Sequence, residues 1–229
     1  DQYQTRLVII DGVYSQDGDL SLLPEIISLC KTHEAMLMLD DAHGIGVMGA
    51  NGRGTAEHFN CLGQVDIITG TFSKSFGCVG GFAAASKKII QYLKFYADSN
   101  VFSAAPTPQV TASILKALEI IKKEPAIRAR LWENTDYLRS RLTTEGFDIG
   151  KSVSPIFPIM IRDNKKVYEI AKMLQEKGIF TIGIVYPAVR TKEARLRVSV
   201  LATHEHEQLD ALINALNDIN KDIKIKKEQ

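Results

Sequence analysis

Cysteine is scarce in these 229 residues: Cys30, Cys61 and Cys78 are an odd number with no metal-ligand spacing. That rules out a disulfide framework and a zinc site as organising principles, and reduced thiols in the cytoplasm are the expectation. Charge of one sign is also missing, since 28 basic and 27 acidic residues leave a formal +1. No bulk field therefore favours nucleic acid. No apolar run approaches the roughly 18 residues of a membrane span. Internal repeats and low-complexity tracts are absent too. What remains is 45% hydrophobic and 24% charged, the balance of a globular protein. One local basic cluster, Lys221, Lys224, Lys226 and Lys227, reads as a solvated tail. Weak peripheral contact with a membrane surface is its minor alternative.

The order of elements predicts an α/β protein. A strand over 7–10 precedes a helix over 21–34, with Pro24 in its first turn. Strands follow over 35–40, 65–69 and 81–85, and a Gly-rich loop runs from Gly44 to Gly54. The continuous apolar runs Ala35–Leu39 and Val65–Thr69 predict strands buried on both faces, as in a mostly parallel sheet flanked by helices. Ser86 is the expected N-cap of a helix from Lys87 to about Tyr96. A long helix is expected to reach about Lys122, and Glu124-Pro125 then marks a domain boundary, dividing the chain into 1–123 and 124–229. Beyond it, Ile127, Leu131, Leu138 and Leu142 share a helical face. Strands over 156–161, 179–185 and 196–201 with helices over 165–177 and 205–220 predict a smaller α+β domain.

Two residues carry the chemistry. Asp40 ends the second expected strand, in Asp40-Asp41-Ala42-His43, and Lys74 lies in the small-residue loop Gly70-Thr71-Phe72-Ser73-Lys74-Ser75-Phe76-Gly77 after the third. Ligands of parallel sheets collect at the carboxyl ends of strands, where both fall. A buried carboxylate and a lysine there suit pyridoxal phosphate (PLP). Only a primary amine forms the Schiff base, and only a carboxylate keeps the ring nitrogen protonated so that the ring can accept carbanion electrons.

Several stretches, in order, resemble the α-oxoamine synthases, fold-type I PLP enzymes. They are Asp11-Gly12-Val13-Tyr14-Ser15-Gln16-Asp17-Gly18-Asp19, Asp40 to Gly46, Gly52-Arg53-Gly54, the lysine loop, Arg195-Leu196-Arg197 and Ala202-Thr203-His204. Thr-Phe-Ser-Lys-Ser is most similar to the serine palmitoyltransferase branch of bacteria, where other branches more often show Thr-Leu-Gly-Lys-Ala. The resemblance implies that Lys74 is the Schiff-base lysine and the base at substrate Cα, and that Asp40 partners the pyridinium. His43 and Ser15 lie near the ring's phenolic oxygen, and Thr71 contacts phosphate or ring. Ser103 reaches the phosphate of a neighbouring subunit in a homodimer with shared active sites. Arg197 grips the amino-acid carboxylate, and Tyr186-Pro187-Ala188-Val189 forms a mobile loop; alternation along the strand is expected to turn Arg195 to the opposite face. The implied reaction is decarboxylating condensation of L-serine with palmitoyl-CoA or another long-chain acyl-CoA to 3-ketosphinganine, the first step of sphingolipid synthesis. The alternatives are glycine C-acetyltransferase or 8-amino-7-oxononanoate synthase activity, or a non-catalytic fragment of the fold. Family members are longer at the amino end, so this chain is expected to lack the ring-stacking histidine and a phosphate cradle.

Overall fold

The structure, a computed structural model, describes residues 4–226. The chain divides into two compact units. The first comprises the chain up to Tyr14 and Leu20–Arg128; the second comprises Ser15–Asp19 and the chain from Ala129 onward. Among the described residues no helix is long and apolar enough to cross a membrane.

The first unit is built on a four-stranded sheet, β1 (Leu7–Asp11), β2 (Met36–Asp40), β3 (Ile67–Thr71) and β4 (Gly81–Ala85), in that spatial order. The first three strands are parallel and β4 runs antiparallel to β3. Between β1 and β2, α1 (Leu23–Thr32) makes the crossover. Strand side chains alternate between faces. Leu37 and Leu39 therefore turn together onto Leu23, Ile27 and Cys30 of α1, with Val8, Ile10 and Ile68 packed around them. The other face differs from expectation. Leu7 is 47% and Ile9 61% exposed, because no described element of this unit covers that end of the sheet. The third strand starts two residues later than its apolar run. Asp66 takes the first ladder position with its side chain, accepting from Leu37 N at 2.8 Å. The unit also contains α2 (Thr55–His58), α3 (Lys87–Tyr96), α4 (Asp98–Val101) and α5 (Pro108–Lys123). Ser86 caps α3 and Thr107 caps α5, each accepting from a first-turn amide.

The helix α6 (Pro125–Thr144) starts at the expected boundary, while the two units divide four residues later, after Arg128; Leu138 and Leu142 of this helix are fully buried in the second unit. The second unit has a three-stranded antiparallel sheet in the order β5 (Ile156–Met160), β7 (Arg195–Ser199), β6 (Ile182–Ile184). Helices α7 (Asn164–Glu176) and α8 (His206–Asp222) pack on it through Val167, Ile170, Leu174, Leu212, Ile213 and Leu216. The strand expected over 179–185 is shorter. Ile179 N is used to close α7, donating to Leu174 O at 2.9 Å, and Val185 O accepts the turn amide of Ala188 at 2.9 Å. The basic tail is not simply solvated. Lys226 donates to Asn217 Oδ1 at 2.8 Å and lies over the Phe147 ring, while Lys221 pairs with Asp218. Lys227 lies outside the described residues.

The segment Ser15–Asp19 joins this unit through a tight turn. Gly18 has φ +70 and its carbonyl accepts from Val153 N at 3.1 Å. A Cβ there would lie 2.2 Å from Ile156 O and 2.8 Å from Ser152 Oγ. Gly18→Ala is expected to destabilise by about 2 kcal/mol or more, from the left-handed backbone and the backbone clash together. Urea unfolding of the two chains side by side checks this; equal midpoints refute it.

Candidate functional site

The carboxyl edge of the first sheet brings its charged residues together by register. Asp11 and Asp40 are paired partners at the ends of β1 and β2, and Asp40 in turn pairs with Thr69 of β3. Asp40 Oδ1 accepts from Ala42 N at 3.0 Å, which fixes the carboxylate at the strand end. Asp11 lies on the same sheet face, two positions after Ile9. Its carboxyl is held above the usual range by burial first and by the Asp40 charge second, while Lys74 opposes both. Asp40, Asp11 and Lys74 thus share one electrostatic field. Asp11 has no site role among the residues expected from the sequence. Its position at the end of a buried-strand run, as Asp40 is, was the available signal.

Asp41 has a different job. It is fully buried and accepts from Thr55 N at 2.8 Å and from Thr55 Oγ1 at 2.9 Å. A Cβ on Gly44 would fall 1.9 Å from Asp41 Oδ1, one on Gly54 1.8 Å from Oδ2, and one on Gly12 2.6 Å from Oδ1. The glycines of these motifs therefore make room for a buried carboxylate. Alternation sends Asp40 to one face and Asp41 to the other. Burial is the main cause that pushes the Asp41 carboxyl from 3.8 up to about 6; Thr55 opposes it and Asp40 adds to it. A raised folded-state value means that this group's stabilisation is complete below about 3.8 and is lost as pH rises through about 6. Asp41→Asn keeps the shape and removes the titration. The wild-type chain should lose about 2 kcal/mol relative to Asp41→Asn between pH 4 and pH 7. Urea midpoints at the two pH values read the difference, and parallel pH profiles would contradict the assignment.

Lys74 sits at the exposed turn of the loop between β3 and β4. The loop is held from within. Phe72 N donates to Gly80 O at 2.9 Å, Cys78 N to Phe72 O at 2.6 Å and Gly77 N to Lys74 O at 3.0 Å. Phe72 packs edge-on against Phe76 and at a tilt of 35° against Phe82. Ser75 Oγ donates to Ile45 O at 2.7 Å, which ties the loop to the Gly-rich segment. Gly46, φ +82, is required there because a Cβ would come 2.6 Å from Ser75 Cβ. Thr71 ends β3; its hydroxyl bonds Ser73 Oγ at 2.8 Å and Gly80 O at 3.2 Å, so it supports the loop. His43 lies in the turn after Asp41 and is half-buried. Ser103 is exposed beyond α4, with its hydroxyl donating to Ser99 O. Asp40, His43, Thr71, Lys74 and Ser103 all belong to the first unit.

Ser15 and Arg197 belong to the second. Arg197 Nε donates to Ser15 O at 2.6 Å and its Nη1 to Ser199 Oγ at 3.1 Å. Burial lowers the guanidinium pKa below its ordinary value, so this is a cation drawn partly out of water. Arg195 corrects an expectation. It shares a face with Arg197, because positions i and i+2 of a strand point the same way, while Leu196 and Val198 enter the core. The Pro187–Arg190 loop, Asp17 and Arg195 border an open cleft of about 710 Å³.

The first unit's donor set fits PLP. It offers a carboxylate fixed by one oxygen, Asp40, and a lysine amine, Lys74, that acts electrostatically on the neighbouring Asp11. The aminotransferase class I and II pattern matches residues 1–216. The chain belongs to this family. Within it, the relatives fit the α-oxoamine synthases. A serine palmitoyltransferase of Sphingobacterium spiritivorum is 44% identical over 220 residues, 96% of this chain and 55% of that protein. An 8-amino-7-oxononanoate synthase of Petrotoga mobilis is 45% identical over 223 residues, 97% of this chain and 57% of that protein. A solved structure described as serine palmitoyltransferase with PLP as internal aldimine superposes with a TM-score of 0.92 at 30% identity. It covers 96% of this chain and 56% of its own. This family member thus has the fold-type I architecture, and it spans little more than half the length of the relatives it matches.

Proposed function

We propose that the whole protein is a PLP-dependent α-oxoamine synthase that condenses L-serine with a long-chain acyl-CoA, with palmitoyl-CoA as the type substrate. The product is 3-ketosphinganine, which opens sphingolipid synthesis. The observation that carries the serine palmitoyltransferase reading is Thr71-Phe72-Ser73-Lys74-Ser75. The side chains that set it apart from Thr-Leu-Gly-Lys-Ala are the ones that build the loop. Phe72 packs on Phe76 and Phe82, Ser73 bonds Thr71, and Ser75 bonds Ile45.

Pyridoxal phosphate, when bound, supplies an electron sink for the carbanion at substrate Cα. Asp40 holds the proton on the ring nitrogen. Lys74 would hold the group covalently, and its amine would be the base for the Cα proton. His43 and Ser15 bind the phenolic oxygen, and Thr71 the phosphate or ring. Arg197 grips the substrate carboxylate, since Nε and Nη1 are engaged and Nη2 has no acceptor among the described residues. Residues 1–123 then serve as the closing part of a large cofactor domain and 124–229 as the small domain, to which Ser15–Asp19 attach. A cytoplasmic homodimer, with Ser103 reaching the partner's phosphate, completes this reading; three free thiols support the compartment.

A second reading, 8-amino-7-oxononanoate synthase, is favoured by the 45% identity to that relative, against 44% to the serine palmitoyltransferase. Turnover of the complete protein decides between them. Serine with palmitoyl-CoA should exceed glycine or alanine with shorter acyl-CoA substrates; the reverse order selects the second reading. In the same assay Arg197→Ala should raise the KM for serine about tenfold or more, and that for acyl-CoA little, as loss of a charge-assisted hydrogen bond to the carboxylate requires.

A further inference from the structure

Two arginines on one face of β7 hold a segment that lies about 180 residues earlier in the chain. Arg197 Nε reaches Ser15 O at 2.6 Å. Arg195 Nη1 pairs with the Asp17 carboxylate and reaches Gln16 O at 3.4 Å, while its Nε donates to Glu193 O at 2.7 Å. Arg195 is only 3% exposed. A buried guanidinium left without acceptors is costly, so the acceptors are held where it needs them. The fork shape matters: Nε and Nη1 each take different acceptors, which a single ammonium nitrogen does not reproduce.

We infer that Arg195 is a positioning residue, which locks the Ser15–Asp17 backbone onto β7 so that the Ser15 hydroxyl and the Arg197 guanidinium are held as one piece. The functional half of this inference rests on the proposed roles of Ser15 and Arg197. Its physical half does not. Ser15–Asp19 cluster with the second unit although Tyr14 and Leu20 on either side cluster with the first. Gly18 O, bonded to Val153 N, closes the far end of the segment. A carboxylate bound at Arg197 thereby acts on a group whose other nitrogen already holds the backbone of Ser15.

The test is amide ¹⁵N relaxation on this 229-residue chain. In the wild type, Ser15–Asp17 should show order parameters of about 0.85, as rigid backbone does, falling below about 0.6 in Arg195→Gln while the amides of β5 and β7 stay unchanged. A merely structural role would loosen the whole unit instead. Asp17→Ala, at a side chain 53% exposed, removes the same pair from the solvent side and gives a second route should Arg195→Gln not fold. Arg195→Lys should restore rigidity only in part. Unchanged order parameters at Ser15–Asp17 in the folded variants overturn the inference. In the complete PLP-loaded protein, Arg195→Gln should lower kcat/KM for the amino acid about tenfold with the acyl-CoA KM unchanged, as loss of one charged hydrogen bond to the segment implies. A mobilised segment with unaltered kinetics would uphold the clamp and reject the contact role of Ser15.

Discussion

Lys74→Ala should abolish turnover of the complete protein, by on the order of 10⁴-fold or more, because one residue is asked to serve as both covalent anchor and base. It should also end borohydride fixation of the cofactor to the polypeptide. The fold should survive. Lys74 is exposed, and its loop is closed by Phe72, Phe76, Phe82 and backbone bonds that an alanine leaves in place. Far-UV circular dichroism of Lys74→Ala should therefore match that of the wild type. The rivals for the role are Lys87 and Lys88, which open α3 and present amines near the same sheet. They follow β4, which runs antiparallel, so they lie beyond its carboxyl end and away from the edge where Asp11 and Asp40 meet. Peptide mapping of the reduced wild-type protein is the direct check. An adduct on Lys87 or Lys88, or an active Lys74→Ala, would remove Lys74 from the mechanism.

Much of this edge was legible in the residue order. Apolar runs of strand length ended at Asp40 and before Lys74, and parallel strands leave such residues together at one edge. The register that sets Asp11 beside Asp40 was harder to see, since it depends on how far each strand extends. Asp41 was legible only as a possible structural hydrogen bond; the glycines that make room for it sit 29 residues before it and up to 13 after it. The faces of β7 were misjudged at Arg195, although strand alternation alone puts it with Arg197. The membership of Ser15–Asp19 in the second unit was not legible. It rests on contacts made across some 180 positions, by arginines whose partners are mostly backbone carbonyls. Backbone acceptors leave no trace in residue identity. The exposed Leu7–Ile9 face likewise looked like any buried strand, because an apolar run records what a strand is suited to, not what covers it.

Asp40→Asn should cut turnover by on the order of 10²-fold or more, the scale of losing one strong electrostatic group in a closed site. The substitution is nearly isosteric. The asparagine carbonyl can still accept from Ala42 N, so the strand end keeps its shape. What changes is the atom facing the cofactor ring. A carboxylate oxygen accepts the ring nitrogen's proton and stabilises it by charge; an amide NH₂ there would meet it donor to donor. On the proposed role of Asp40, the ring nitrogen of a bound cofactor would then be less readily protonated, and the group would draw electrons from substrate Cα less strongly. Asp11 does not replace the lost partner, because it ends the neighbouring strand. It does report the loss. Asp40 is one of the causes that raise the Asp11 carboxyl, so its titration midpoint should move down toward the ordinary range in Asp40→Asn. Carboxyl ¹³C shifts of the cofactor-free chain read that movement, independent of any catalytic assay. A fixed Asp11 midpoint would break the proposed pairing at the sheet edge. Near-normal turnover of a folded, PLP-loaded Asp40→Asn protein would take the ring-nitrogen role away from Asp40.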